Sequence, residues 1–410
     1  MPTPAMRVLI TSPIFPPDLG GPSVYVPSIG RFLVERGHEV KVIAFCSDPA
    51  PSGHPFEVES IARGPLPVRY LVAFWRVFRE AKNFDVIYVQ EHLAYLHVLA
   101  AKLRRVPCMI RIMVDGSWEI SHRKGWCGDD DIVTFQGKRY SWKVSLVQRL
   151  QRTWWRWAKH IITCSDFLRG ILVNTYGVEG EKVQTIFNAY HGPPTESVSE
   201  TRGEAREALG LRQDRRYLLT VCRLMVWKQV DRIIEALRGL PEDVELVVCG
   251  DGPELETWQA LARSLGVEER VHFRGNVAHE LVPLYIRAAD IFVLYSRYEG
   301  LSHTLIEVQT LGTTAVASAV CGNPEVISDG ETGRLVPLED PEALTRVLTE
   351  TLADPALMER LAEAGRAAAD RFSRTETFTK VEEALISASR GAVGCSRKGE
   401  SPENRPTSGS

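Results

Sequence analysis

Two glutamates flank a glycine loop in the second half of the chain, where paired carboxylates could bind hydroxyls. The stretch "YEGLSHTLIE" places Glu299 and Glu307 eight positions apart, with Gly300 directly after the first. The preceding run "DIFVLY" predicts a buried strand, and "HTLIEVQTLG" predicts a helix. Glu299 then lies in the connecting loop and Glu307 about one turn inside the helix, so both can face one pocket at the strand end.

A carboxylate can accept two hydrogen bonds from a vicinal diol, so either glutamate could hold hydroxyls of a sugar or a ribose. The amides of residues 300–302, at a helix start, can meet an anion. The alternative is a pair of surface glutamates. Glu307 lies among apolar neighbours, however, and a buried carboxylate without partners is costly, so a ligand would supply what it lacks.

Two cations follow another predicted strand in "VCRLMVWKQ". Arg223 comes just after the strand, and Lys228 lies five residues later at a predicted helix start. Cations at the carboxyl end of a strand and near a helix N-terminus suit a diphosphate. A solvated basic turn explains the fragment equally well, and the residues alone leave both interpretations open.

Glycines mark two more strand-to-helix connections. In "VVCGDGPE", Gly250 belongs to a glycine pair that lets the backbone come close to a ligand, although an ordinary turn is the favoured interpretation. In "FPPDLGGPS", Gly20 and Gly21 open a loop where a side chain would block a phosphate or a sugar. A plain Pro/Gly turn is the equal alternative there.

The elements that must position these residues repeat in two series. Continuous apolar runs bounded by turns and separated by helical patterns predict parallel sheets covered on both faces. A chain of 410 residues favours two domains. We predict an α/β protein with two doubly wound, Rossmann-like domains that face each other across a cleft. The predicted boundaries are an N-terminal domain at 1–190 completed by a helix at 373–390, a linker at 191–204, a C-terminal domain at 205–372 and a disordered tail at 391–410.

Composition excludes several classes of function. The formal charge of −3 gives no reason to expect nucleic acid as a partner. No apolar run approaches the roughly 18 to 20 residues that span a bilayer, and the N-terminus lacks a signal-peptide layout, so we expect a cytoplasmic protein. Eight scattered cysteines form no C-x-x-C pair, which makes a zinc site or a redox pair unexpected.

These motifs together resemble family 4 of the retaining glycosyltransferases, which have the GT-B fold. The matching segments keep the expected order over residues 6–390: "FPPDLGG", "ITCSDF", "VCRLMVWKQVDRIIEAL", "VVCGDGPE", the two glutamates and "GNPEVISDGETGRLVP". The resemblance implies that Glu299 meets the hydroxyls of the donor sugar and Glu307 the ribose. It also implies that Arg223 and Lys228 clamp the diphosphate.

The resemblance further assigns donor binding to a set of loop positions, with their backbone amides touching phosphate at the helix start. These positions are Gly20, Gly21, Gly250, Gly300, Leu301 and Ser302. The implied reaction moves a sugar from a nucleotide diphosphate sugar to an acceptor hydroxyl with retention of configuration, without a metal or another cofactor. An epimerase of the same fold and a non-catalytic binding or scaffold subunit are the rival functions. A phosphorylase would carry a pyridoxal phosphate lysine, and nothing in the sequence indicates one.

The sequence departs from many members of this family after "CMIRIMV", where they carry a catalytic-site histidine. Here "DGSWE" places Asp115 in that position, similar to a bacterial subgroup with an Asp-x-x-Trp-Glu motif. Asp115 is therefore a candidate catalytic residue that binds a hydroxyl of the sugar or the acceptor. A structural turn with Trp118 packed inside is an equal alternative.

Three further segments invite functional interpretations. "GDDDIV" at 128–133 resembles the D-x-D metal motif of another glycosyltransferase fold, which we reject because the architecture differs. His92 and His97 are predicted to be structural. Residues 138–159 carry seven Lys or Arg, four Trp and no acid, with Leu150 predicted on a packed side. That segment predicts peripheral contact with a membrane and suits a lipid-linked acceptor, although an ordinary packed helix is the alternative.

Overall fold

Two parallel β-sheets organise the chain. The computed structural model describes residues 5–18, 20–90, 95–340 and 342–393. Within them the first sheet has seven strands in the order β3-β2-β1-β4-β5-β6-β7, and the second has six in the order β10-β9-β8-β11-β12-β13. Both orders are those of a doubly wound sheet, whose ligands bind beyond the carboxyl ends of the strands.

The strands of the first sheet are β1 (Arg7–Ser12), β2 (Glu39–Phe45), β3 (Glu57–Ile61), β4 (Val86–Gln90), β5 (Cys108–Ile112), β6 (His160–Thr163) and β7 (Val183–Thr185). Those of the second are β8 (Arg216–Val221), β9 (Val244–Cys249), β10 (Val271–Gly275), β11 (Ile291–Leu294), β12 (Thr314–Ser318) and β13 (Arg334–Val336). The sequence did not predict β3, whose residues "EVESI" alternate because the strand lies at the edge of its sheet.

The helices of the first half are α1 (Gly21–Glu35), α2 (Leu66–Glu80), α3 (Tyr95–Arg104), α4 (Gly116–Arg123), α5 (Ile132–Gly137), α6 (Trp142–Trp157) and α7 (Asp166–Gly170). The remainder are α8 (Arg202–Ala208), α9 (Val230–Ala236), α10 (Leu255–Ser264), α11 (Val282–Ala288), α12 (His303–Leu311), α13 (Ala343–Ala353), α14 (Pro355–Ala368) and α15 (Arg374–Val393). Helix α8 begins inside the predicted linker at 191–204. Among the described residues, no helix combines the length and the apolar character needed to cross a membrane.

The last helix returns to the first sheet. Helix α15 packs with α1 on one face of that sheet, where Phe378 and Ile29 share an apolar cluster. A buried hydrogen bond of 2.9 Å joins His38 Nε2 to Glu382 Oε1, and His38 Nδ1 accepts from the Met6 amide. Helix α15 ends at Val393, three residues into the predicted tail at 391–410. Residues 394–410 lie outside the described part of the chain.

The opposite face of the first sheet is covered by α2, α3 and α6. Val77, Val98 and Trp155 from these helices share one apolar cluster. Helix α6 packs differently from the prediction, because Leu150 is 40% exposed and Trp155 is buried. His97 is buried in α3, whereas His92 lies outside the described residues.

Candidate active site

A cavity of about 1050 Å³ opens between the two halves of the chain, where loops at the carboxyl ends of both sheets meet. Five of the predicted site residues line it. Gly20 comes from the loop after β1, Gly21 from the start of α1, Arg223 from the loop after β8, Gly250 from the loop after β9, and Glu307 from α12. A cleft of this size lined by convergent polar groups has the dimensions of a ligand site.

Of the two glycines at the first sheet, Gly21 leaves open space at one side of this cavity. Helix α1 begins at Gly21, and residues of its first turn line the cavity. A Cβ added to Gly21 would meet no atom within 4 Å, which leaves room for a ligand. Gly250 is constrained in another way, because its φ is 142° and a Cβ would lie 1.8 Å from the carbonyl oxygen of Cys222. Close backbone packing therefore requires glycine at position 250, whether or not a ligand binds.

Lys228 and Glu299 form a largely buried ion pair that is not part of the cavity lining. Lys228 Nζ lies 2.5 Å from Glu299 Oε1, and Ser296 Oγ donates to the same oxygen at 3.0 Å. Burial opposes the ammonium charge, but the adjacent carboxylate outweighs it and raises the pKa of Lys228 above its ordinary value. The structure thus brings the two predicted residues together, each as the partner of the other.

The loop that carries Glu299 is anchored to the end of β5. The Tyr298 hydroxyl donates to the carbonyl oxygen of Met113 at 3.2 Å. A Cβ on Gly300 would lie 2.3 Å from that oxygen, so the approach of the two backbones requires glycine. The loop is therefore held against the first half of the chain.

A second anchor reaches the neighbouring residues through a buried amide. Asn188 Nδ2 donates to the carbonyl oxygen of Leu301 at 2.8 Å, and Arg111 Nη2 donates to Asn188 Oδ1 at 2.7 Å. Ser302 caps α12, since its Oγ accepts from the Leu305 amide at 3.2 Å. Leu301 and Ser302 are buried outside the cavity lining, yet they fix where α12 begins.

Among the described residues, the Glu307 carboxylate has His279 as its partner at the cavity wall. Its Oε1 lies 3.5 Å from His279 Nε2, and only 5% of the residue is exposed. The hydrogen bond to Glu307 raises the pKa of His279 above its ordinary value, although partial burial acts in the opposite direction. His279 was not among the residues predicted from the sequence. Its position in the loop after β10, where doubly wound sheets bind ligands, was an available signal.

Two further histidines line the cavity without having been predicted. The rings of His191 and His303 lie 5.2 Å apart. Burial, reinforced by the neighbouring His303, lowers the pKa of His191 to about 2, and burial together with Arg111 lowers that of His303 to about 4. Neither ring nitrogen of His191 has a hydrogen-bond partner among the described residues. Both imidazoles are therefore neutral at the cavity wall, and the ring nitrogens of His191 are themselves buried. His191 was overlooked because it falls in the predicted linker.

Asp115 is a helix cap enclosed by protein donors. It is fully buried, and its Oδ1 accepts from the Ser117 amide at 2.9 Å and from Gln151 Nε2 at 2.7 Å. Its Oδ2 accepts from Gln136 Nε2 at 2.6 Å and from the Tyr176 hydroxyl at 2.8 Å. This environment favours the structural alternative for Asp115, because the residue is fully buried and protein donors occupy both of its oxygens.

The acidic segment at 128–133 is likewise engaged by protein. Asp130 accepts from Lys138 Nζ at 2.6 Å and from the Tyr140 hydroxyl at 2.7 Å. Asp131 caps α5 through the Thr134 amide. In the part of the chain that the structure describes, no cluster of three or more His, Cys, Asp or Glu side chains could hold a metal ion.

Comparison with known families covers both halves. Residues 20–189 match the family described as "Glycosyl transferase 4-like domain", and residues 201–368 match "Glycosyl transferases group 1". The chain is a GT4-type glycosyltransferase. Its two parallel sheets and the facing loops are those of the GT-B fold, as the sequence predicted.

Relatives of this glycosyltransferase match it over nearly its whole length or over less than half of it. It is 28% identical to the D-inositol 3-phosphate glycosyltransferase of Xylanimonas cellulosilytica over 94% of this chain and 97% of that protein. It is 35% identical to the GDP-mannose-dependent alpha-(1-6)-phosphatidylinositol monomannoside mannosyltransferase of Mycolicibacterium smegmatis, over 41% of this chain and 46% of that one. The crystal structure of Anabaena HepE in complex with UDP-glucose shares the fold, with a TM-score of 0.74 and 20% identity over 93% of this chain and 100% of that one.

Proposed function

We propose that this glycosyltransferase moves a sugar from a nucleotide diphosphate sugar to an acceptor hydroxyl with retention of configuration, in polysaccharide or glycoconjugate biosynthesis. The observation that carries the proposal is the cavity between the halves, where Glu307, Arg223 and the starts of α1 and α12 converge. A carboxylate suits ribose hydroxyls, and a guanidinium with helix N-termini suits a diphosphate. The similar fold of a protein that binds UDP-glucose supports such a donor.

In this proposal, Lys228 and Glu299 exchange their mutual contact for contacts with the donor. The contact between the two side chains holds both groups in place. A diphosphate beside Lys228 offers the ammonium a second anionic partner, so that Glu299 becomes free to accept hydrogen bonds from the donor sugar. Glu299 then orients the sugar, and Lys228 together with Arg223 stabilises negative charge on the departing diphosphate.

The proposed transfer takes place on one face of the sugar. The bond between the anomeric carbon and the phosphate oxygen breaks, and the acceptor oxygen forms its bond from the same side. The leaving phosphate takes the acceptor proton, so no protein nucleophile is needed. Cationic side chains and backbone dipoles supply the positive charge in this proposal, and we expect turnover to survive a metal chelator.

The acceptor is proposed from the relatives and from α6. Two relatives are named for an inositol phosphate and a phosphatidylinositol mannoside, which favours a polar or lipid-linked acceptor here. Trp142 and Leu146 are exposed on α6, and the segment 138–159 is basic. We therefore place the enzyme in the cytoplasm at the inner face of the membrane, where this segment contacts lipid.

A thermal-shift panel of UDP, GDP, ADP and TDP tests donor binding. A ligand at about 100 times its Kd should stabilise the fold by roughly 2.7 kcal/mol. Glu307→Ala should weaken the response, whereas Glu256→Ala, an exposed position on α10, serves as the matched control. Proton NMR of the product made with the selected donor reports the anomeric configuration. If none of the four nucleotides stabilises the wild type, the proposed donor class is wrong, and an inverted product would contradict retention.

A further inference from the structure

Helix α2 has apolar side chains on two opposite sides. Ala73 and Val77 are fully buried against the first sheet. Leu71 and Trp75, one turn apart on the outer side, are 55% and 63% exposed, and Val68 is exposed beside them. The outer side thus carries a helical stripe that the rest of the described chain does not cover. A helix that is apolar on both sides has a second surface to bury.

The outer stripe borders a groove with a basic rim. A cavity of about 650 Å³ is lined by apolar residues of α2 and by Arg76, Arg79 and Arg104. Leu103 on the adjacent helix α3 is also exposed. The floor of the groove is therefore apolar, and its edges carry guanidinium groups.

Helix α3 joins this groove to α6. The Arg104 guanidinium lies 4.7 Å from the ring centre of Phe78 on α2. On the other side, the rings of Tyr95 and Trp154 stack at 4.8 Å, and Lys102 Nζ lies 4.1 Å from the ring centre of Trp157. The three helices form one layer, which we call the α2–α3–α6 face. Its exposed apolar residues are Val68, Leu71, Val72, Trp75, Leu103, Trp142, Leu146 and Leu150.

The charge of this face identifies its partner. Residues 95–106 and 138–159 contain no acidic residue. The only acid of α2 is Glu80, which contacts Lys41 and Arg79, and Glu59 of β3 pairs with Arg76, so two acids partly offset the arginines of the groove. Exposed Lys102, Arg105 and the arginines of α6 leave the face positive. A two-fold contact with a second copy would set these cations against one another, which disfavours self-association.

We propose that the α2–α3–α6 face docks on an anionic lipid bilayer, with α2 as the principal inserting element. Leu71 and Trp75 enter the boundary between headgroups and acyl chains, while the surrounding Lys and Arg side chains contact headgroup phosphates. The proposal extends the lipid contact of α6 to a surface that the sequence analysis did not identify. It rests on exposed side chains of α2 and α3 and is independent of the transfer chemistry.

Co-sedimentation of the full chain with vesicles tests this docking. We expect binding to phosphatidylglycerol-containing vesicles, weak binding to pure phosphatidylcholine vesicles, and weakening by added salt. The double variant Leu71→Ser/Trp75→Ser should lower partitioning by about tenfold or more, because two large apolar side chains no longer enter the bilayer. Trp142→Ser/Leu146→Ser should have a smaller effect, and Leu281→Ser, an exposed leucine of the other half, should have none.

Two results would overturn the proposal. One is equal sedimentation of the wild type and Leu71→Ser/Trp75→Ser. The other is a dimeric wild type, by light scattering, that the same double variant converts to a monomer, since a second copy would then cover the face. The UDP thermal shift of this variant should equal that of the wild type. A chain that binds no nucleotide but still binds vesicles through α2 would contradict the proposed function alone.

Discussion

Asp115 and Glu299 are both largely enclosed carboxylates placed just beyond the ends of parallel strands, yet their surroundings differ. Protein donors reach both oxygens of Asp115, including two glutamine amides and the Tyr176 hydroxyl. Glu299 receives Lys228 and Ser296 on Oε1, and among the described residues no hydrogen bond reaches its Oε2. Protein donors thus saturate the Asp115 carboxylate, whereas the Glu299 carboxylate can accept further hydrogen bonds.

Because of this difference in partners, we expect Asp115 to be structural and Glu299 to act on a ligand. Neutral donors fixed on three helices and a turn hold Asp115, so removing it would leave several buried groups unpaired. The partner of Glu299 is a flexible lysine that a diphosphate can attract. Burial alone therefore does not distinguish the two roles, whereas the number and mobility of the partners does.

The largest expected effect is on turnover at Glu299. Glu299→Ala should lower kcat by about a thousandfold, because the donor sugar loses the carboxylate that orients it. Release of nucleoside diphosphate from the donor selected by the nucleotide panel measures this change. Glu299→Gln serves as the control, since it keeps an acceptor oxygen and should retain part of the activity. Wild-type turnover by Glu299→Ala would refute the role assigned to it.

At Asp115 the expected loss is in stability instead. Asp115→Ala should lower the free energy of unfolding by about 3 kcal/mol, because buried amides and a hydroxyl lose their acceptor. Chemical denaturation measures the change. The folded fraction at low temperature should keep its kcat within about fivefold of wild type, since protein donors already occupy both oxygens of Asp115. A stable Asp115→Ala protein without turnover would show that Asp115, like Glu299, has a role in the reaction.

Lys228 is the partner of Glu299, so its substitution tests the proposed contact of the lysine with the diphosphate. Lys228→Ala should weaken nucleoside diphosphate binding by about thirtyfold, because a charge-assisted contact with phosphate is lost. Isothermal titration calorimetry with the nucleotide selected by the panel gives the affinity. Lys228→Arg keeps the charge and should bind within a few-fold of wild type. Unchanged affinity in Lys228→Ala would mean that the lysine serves Glu299 only.

The fold was predictable wherever burial on both faces made a strand continuously apolar. Every residue of β9 is buried, and its run "VELVVC" is evident in the sequence. Strand β3 was missed because an edge strand keeps charged residues on its exposed side. The exposed apolar side of α2 could not be predicted either. A sequence does not reveal which apolar residues of a helix are exposed until the side that packs on the sheet is known.

The candidate site was predictable as a set of loops and unpredictable as a set of contacts. Strand ends and glycines placed Arg223, Glu307 and Gly21 at the cavity. The contact of Lys228 with Glu299 joins residues 71 positions apart, and the enclosure of Asp115 depends on side chains from separate elements. Such pairings follow from tertiary packing, which local patterns do not encode.

Glu307 is the intermediate case and gives the smallest expected effect. Its partner His279 is half exposed, and the hydrogen bond to Glu307 raises the pKa of His279 above its ordinary 6.5. The stabilisation from this pair is therefore complete below about pH 6.5 and is lost as the pH rises through the raised pKa. Solvent screening limits it to less than about 1 kcal/mol.

His279→Gln isolates this contribution. The free energy of unfolding of the wild type should exceed that of the variant at about pH 6, and the difference should shrink by about pH 8. Saturating nucleotide should remove the pH dependence in the wild type, because ribose hydroxyls would take over Glu307 from His279. A difference that persists with nucleotide bound would show that Glu307 stays paired to protein, as Asp115 does, and would place the ribose elsewhere in the cavity.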